Sequence, residues 1–259
     1  MPFSRRWFLA LTPAAPLFIT EVAHGQSGSA VSGDSFPAHD PKVVSEMVTV
    51  AHGNVGRVRE LLSNRPALAN AGWDWGFGDW ETPLGAASHV GNREIAALLL
   101  DAGARPTIFS AAMLGQLEVV KAFVTATPGI QRVRGPHGIP LLAHAKAGGA
   151  AAVVTYLESV PDSNVPYRNE PITDAVRSAC AGTYLFGQGS TQEVVVSTTE
   201  RGALMIRRTG GADRTLFHLG NLTFHPAGAD SVRIRFAVGT PAPSLAIEDG
   251  PVRMTAHRK

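Results

Sequence analysis

Four glycine turns recur in the first two thirds of the chain, and they limit the fold more tightly than any other feature. They are Gly53, Gly91, Gly115 and Gly149. Five residues after each stand Val58, Ala96, Val120 and Val154, and eight after each stand Leu61, Leu99, Phe123 and Leu157. The i, i+3 offset puts each pair on one face of a helix. A short helix pair cannot bury such a face by itself, whereas neighbouring pairs bury it by stacking. Residues 40–160 therefore read as about four helix pairs set side by side.

The punctuation between the helices agrees. Thr82 can cap a helix through its hydroxyl, and Pro83 suits the first helical position, which needs no N–H. That helix carries Leu84, Ala86 and Ala87 and stops at Gly91, which tolerates a left-handed conformation. Asn92 caps the next helix, Glu94 suits its positive end, and Ile95, Ala96, Leu98 and Leu99 form its apolar face. Gly103 closes it. Asp40-Pro41 starts the first helix in the same way, and Val43, Val44, Met47, Val48 and Ala51 line one side of it.

These residues resemble an ankyrin repeat. Thr82-Pro83-Leu84 matches three of the four residues of that family's Thr-Pro-Leu-His motif, and Ala86-Ala87, Gly91, Leu98-Leu99-Leu100 and Gly103-Ala104 fall in register. Gly85 stands where the family has His, and Arg105 where it has Asp. The turn glycines lie 38, 24 and 34 residues apart, against a usual period of about 33. The long interval holds an insertion with Trp73, Trp75, Phe77 and Trp80. The short interval leaves room for a bare helix pair at 106–128. A fourth unit begins near His137-Gly138, with Pro140-Leu141-Leu142 at its corner. The resemblance implies a helical solenoid over 40–160 whose concave face binds another protein.

After a Pro/Asn-rich linker at 161–172 and a short helix at 173–181, the hydrophobic period changes from 3.6 to 2. Strands are expected at 182–186, 193–197, 203–208, 215–219, 222–224, 231–237, 244–248 and 252–257. Short strands with glycine turns predict a small antiparallel β-barrel or sandwich over 173–259, so the chain is a multidomain α plus all-β protein. Gly182-Thr183-Tyr184 and Phe224-His225-Pro226 are similar to the small lipocalin-like domains appended to some bacterial periplasmic hydrolases.

At the other end, Ser4-Arg5-Arg6-Trp7-Phe8-Leu9 resembles a twin-arginine export motif. An apolar stretch from Trp7 to Ile19 follows, and Ala23-His24-Gly25 offers a cleavage site before Gln26. Residues 1–25 are read as a signal peptide and 26–39 as a flexible lead-in, and the resemblance implies a bacterial periplasmic protein. Arg5, Arg6 and Glu21 lie in the signal; without them 21 basic residues face 20 acidic ones. There is no dense basic block, so nucleic acid is not an expected partner. No stable membrane insertion is expected after cleavage, and the oligomeric state is left open.

Motifs for chemistry are few. There is no His-Glu-x-x-His, no Gly-x-Ser-x-Gly elbow and no P-loop, and Gly187-Gln188-Gly189-Ser190 is a turn without a helix behind it. The single cysteine, Cys180, reads as a small buried apolar residue. The histidines are scattered, with His52 at a helix end and His89 and His144 on first helices, so packing or capping is their expected role. His218 and His225 lie near one hairpin and are close enough in sequence to meet. Asp74, Asp79 and Glu81 beside the tryptophans read as acids that solubilise an aromatic loop. No metal, cofactor or catalytic residue is expected. The candidate protein-binding set is Trp73, Trp75, Phe77 and Trp80, with Glu81 and His89 beside them, since binding hot spots favour tryptophan; the opposing reading is a hydrophobic plug. The expected function is an exported protein–protein interaction module without catalysis. The alternative is small-molecule or lipid binding in the β-domain, and a hydrolase rests only on the company such β-domains keep.

Overall fold

The computed structural model describes residues 38–187 and 190–259. The expected signal peptide and nearly all of the lead-in lie outside the described residues, as do Gln188 and Gly189 of the 187–190 turn.

Among the described residues eight α-helices come first: α1 Pro41–Val50, α2 Val55–Asn64, α3 Pro83–Val90, α4 Arg93–Asp101, α5 Ile108–Leu114, α6 Leu117–Ala126, α7 Leu141–Ala147 and α8 Ala151–Ser159. The caps expected at Asp40, Thr82 and Asn92 form, and Asn54 caps α2 in the same way. The side chains of Asn54, Thr82 and Asn92 each accept a hydrogen bond from a backbone N–H three residues on, at 3.0 Å, and Asp40 accepts from Lys42 N at 2.8 Å. Each satisfies a donor that the helix leaves free. Gly91 and Gly115 close α3 and α5 in the left-handed conformation. The helices pack as pairs, α1 on α2, α3 on α4, α5 on α6 and α7 on α8, and α3 also meets α1, α5 and α7.

The apolar pattern holds with two exceptions. Val58, Leu61, Ala96, Leu99, Val120 and Leu157 are buried, but Phe123 is an exposed hydrophobic. In α8 the fully buried residue is Val153 rather than Val154, which only packs against the core from the side. The 106–128 segment is the expected bare pair. By contrast, the insertion after α2 forms a two-stranded antiparallel hairpin, β1 Trp73–Asp74 and β2 Trp80–Glu81.

The C-terminal strands are β3 Gly182–Leu185, β4 Glu193–Thr198, β5 Leu204–Arg208, β6 Arg214–Gly220, β7 Thr223–Pro226, β8 Arg233–Phe236, β9 Ser244–Asp249 and β10 Val252–Arg258. Every neighbouring pair is antiparallel, and β10 pairs with β3 to close an eight-stranded barrel. Closure removes both sheet edges, which decides between barrel and sandwich. Helix α9, Asp174–Cys180, abuts the start of β3, and Cys180 belongs to the barrel core with Tyr184, Phe224, Phe236 and Leu245. Arg258 at the end of β10 donates to the carbonyls of Ala179, Ala181 and Ala242 and to Tyr184 Oη. That end of the barrel is filled and tied shut. Residues His39–Lys259 form one compact unit, and the 161–172 linker lies on the barrel, with the Tyr167 ring 4.5 Å from that of Phe217.

Candidate functional site

The hairpin places two acids where the sequence does not suggest them. In a two-residue strand neighbouring side chains point to opposite faces, so Trp80 is 64% exposed while Glu81 is 1% exposed. Asp79 at the hairpin tip is 4% exposed. Of the three acids read as solubilising the loop, only Asp74 faces water; Asp79 and Glu81 are turned inward because each has cationic or imidazole partners there.

Glu81 sits among three histidines from three further elements. His52 follows α1, His89 is in the last turn of α3, and His137 lies in the three-ten turn Pro136–Gly138 before α7. His89 Nε2 is 2.9 Å from Glu81 Oε1, and His137 Nε2 and His52 Nε2 are 3.4 and 3.7 Å from Oε2. His52 Nε2 and His89 Nε2 are 3.1 Å apart. Trp75 Nε1 donates to Glu81 Oε2 at 3.0 Å. Apart from the close approach of His89, Oε1 has no hydrogen-bond partner among the described residues. Asp79 sits behind His137. Its carboxylate accepts from His137 N at 2.8 Å, meets His137 Nδ1 at 3.2 Å and Arg214 Nη2 at 2.9 Å.

The electrostatics follow from this crowding. Burial works to raise the Glu81 carboxyl, but His137 and His89 overcome it and hold it at about 2. Burial likewise works against the His137 imidazolium, and the carboxylates of Asp79 and Glu81 lift it to about 9. His144, buried beside this group with its ring 6.4 Å from that of His89, is held down to about 4 by burial, which outweighs the Pro140 carbonyl and the more distant Glu81 charge.

The cluster adjoins a cavity of about 690 Å³ at the barrel end away from α9. Phe186, Val194, Ile206, Ile234, Ile247 and Met254 supply its apolar walls. Trp75, Phe77 and His137 of the helical half complete its rim with Arg208 and Arg214. The Trp-rich insertion thus reaches both sites: Glu81 enters the histidine cluster, and Trp75 and Phe77 border the cavity.

Of the residues singled out for protein binding, Trp80 is exposed and Trp73 partly so, whereas Glu81 and His89 face the cluster. His52 does cap α1, its Nδ1 facing the carbonyls of Val48 and Thr49, but packing and capping do not account for the convergence of the His52, His89 and His137 Nε2 atoms on one carboxylate. No local spacing could have announced this, because each residue comes from a different element. His218 and His225 do not meet as a pair. His218 pairs across with Phe224 and His225 with Phe217, so the register sends the two rings to opposite faces. No protein-family model and no curated protein matches the chain, so the geometry carries the functional reading.

Proposed function

We propose that the chain binds a small amphipathic molecule, with its apolar body in the barrel and an acidic head at the rim. An eight-stranded barrel is just wide enough either to be filled by its own side chains or to hold one small ligand. The carrying observation is that this barrel is filled at the α9 end only, leaving a cavity of about 690 Å³, within the range of ligand sites. Apolar walls suit a hydrocarbon or ring system. Arg208 and Arg214 on the rim suit a carboxylate or another anion. Arg208 makes no ion pair among the described residues, while Arg214 is held by Asp79.

In this reading the helical half is an ankyrin-type stack that serves the barrel as a scaffold, supported by the asparagine caps, the left-handed glycines and the paired helices. It presents Trp75, Phe77 and His137 to the rim. Docking of another protein is left to the outer surface, where Trp80 is the exposed aromatic. No covalent step is part of the proposal.

The test uses cis-parinaric acid, a fluorescent fatty acid, and its methyl ester, titrated into the full chain. The acid is expected to bind, the ester more weakly, and Met254→Trp to block both at the mouth. Arg208→Gln should weaken the acid and leave the ester unchanged. Absence of a saturable signal with either probe on the wild type would overturn the reading.

A further inference from the structure

The histidine cluster calls for a positive charge at its centre. His52 Nδ1 faces the carbonyl oxygens of Val48 and Thr49 at 3.1 and 3.0 Å. Carbonyls only accept, so this nitrogen carries the hydrogen and the Nε2 lone pair points inward. His137 Nδ1 faces the Asp79 carboxylate, so the hydrogen that His137 Nε2 turns toward Glu81 is the one a metal ion would displace. His89 Nε2 faces both Glu81 Oε1 and His52 Nε2 and can donate one hydrogen to one of them. A proton on His137 satisfies Oε2, which Trp75 already serves. One hydrogen on His89 Nε2 cannot serve both Glu81 Oε1 and His52 Nε2, so one of these acceptors is left without a donor, while the Glu81 side chain is 0% exposed.

We propose that His52, His89 and His137, each through Nε2, and the Glu81 carboxylate bind a divalent transition-metal ion of the zinc type. Three observations agree. First, all four ligand atoms lie within 4.8 Å of one another. Bonds of about 2.0–2.1 Å in a tetrahedron place ligand atoms roughly 3.3 Å apart; His89 lies 2.9 Å from Oε1, His137 and His52 lie 3.4 and 3.7 Å from Oε2, and His52 and His89 are 3.1 Å apart, all near that value. Second, the outer contacts are those that orient metal ligands. Backbone carbonyls hold His52, a carboxylate holds His137, and the Trp75 indole holds Glu81. Third, the donor set is chemically selective. Three imidazoles and one carboxylate suit zinc, iron(II), cobalt, nickel or copper, whereas calcium and magnesium prefer all-oxygen sites. His52, 32% exposed at its side chain, leaves a path from solvent.

The inference is independent of what fills the barrel. If it holds, the ion lies at the polar end of the cavity, since His137 and Trp75 border both, and a ligand's acidic head would sit near a cation as well as an arginine.

The test is calorimetric titration of the chelator-treated full chain with Zn(II) alone, and with Co(II) followed by its visible d–d absorption. One ion per chain is expected, with a rise in Tm and no competition from Mg(II). His52→Ala, the most exposed ligand, should weaken binding at least about tenfold with an unchanged melt of the metal-free chain; His89→Gln and Glu81→Gln should do the same or worse. Two results would overturn the proposal: no uptake and no Tm shift in the wild type, or wild-type affinity in both His52→Ala and His89→Gln, which would mark an ion held elsewhere. Metal binding with no fatty-acid binding refutes the cavity reading alone, and the reverse refutes this one alone.

Discussion

The Asp79 carboxylate, carried by the hairpin of the helical half, lies 2.9 Å from the Arg214 guanidinium on barrel strand β6. Arg214 also donates to the carbonyl of Gly76 at 3.3 Å, and Asp79 accepts from the backbone of His137. One buried ion pair thus joins hairpin, barrel and the turn before α7. Removing one partner of a buried pair leaves the other charge uncompensated, which costs about 3–5 kcal/mol. Asp79→Asn is expected to lower the unfolding free energy measured in urea by an amount in that range. Asp79→Asn/Arg214→Met should be less destabilised than the sum of the two single variants. Additive losses in this double-mutant cycle would show that the two residues do not act as a pair.

Gly91 and Gly103 separate two costs of replacing a glycine. Both have positive φ, +74° and +86°, where a side chain costs roughly 1–2 kcal/mol. At Gly91 an added Cβ would also stand 2.1 Å from the Ala147 carbonyl oxygen, whereas at Gly103 it meets nothing within 4 Å. Gly103→Ala should lose only the conformational share. Gly91→Ala must push α3 and α7 apart and should lose clearly more in thermal melts. Equal losses would mean that the helices give way without resistance.

What the sequence revealed and what it hid divide along a physical line. The helix starts at Thr82 and Asn92 and the barrel strands were legible because caps and periodicity are local properties. The Gly91 stop was legible as well, but its closeness to Ala147 was not, since it depends on how α3 meets α7. The cluster was illegible for the same reason. His52, Glu81, His89 and His137 share no spacing, and their convergence needs the helix pairs stacked and the hairpin folded under them. Asp79 and Glu81 misled most directly: acids beside tryptophans look solvated until a structure shows cations and imidazoles waiting for them. Cys180 is the opposite case: the ordinary reading of a lone cysteine as a small apolar residue agrees with its burial.

That burial has a chemical consequence. Cys180 is 1% exposed, and burial pushes its thiol up to about 11, with Arg258 opposing weakly. The reactive form is the thiolate, so both access and ionisation are denied. At pH 8 a disulfide reagent such as Ellman's should react negligibly with the native chain and titrate one thiol after urea is added. Fast reaction of the native chain would show that the α9 end of the barrel opens.

His144 should make the fold sensitive to mild acid. Its ring is fully buried, with Nδ1 3.1 Å from the carbonyl of Pro140, Nε2 without a partner among the described residues, and the rings of Phe109 and His89 packed on it. Burial lowers its pKa from 6.5 to about 4, and the His89 charge adds to this while the Pro140 carbonyl and Glu81 oppose. Above pH 6.5 both folded and unfolded chains hold it neutral, and it contributes no pH dependence. Between 6.5 and 4 the unfolded chain binds a proton that the native chain refuses, so stability falls as pH falls. The full loss is on the order of 3 kcal/mol. In the presence of chelator, His144→Leu should match the wild type within about 1 kcal/mol at pH 7, because it gives up the Pro140 hydrogen bond but also removes an unpaired buried nitrogen. Its stability should then decline less steeply toward pH 4.5. If urea midpoints of the two proteins fall in parallel across this window, another group takes up the proton and His144 is not the acid-sensitive residue.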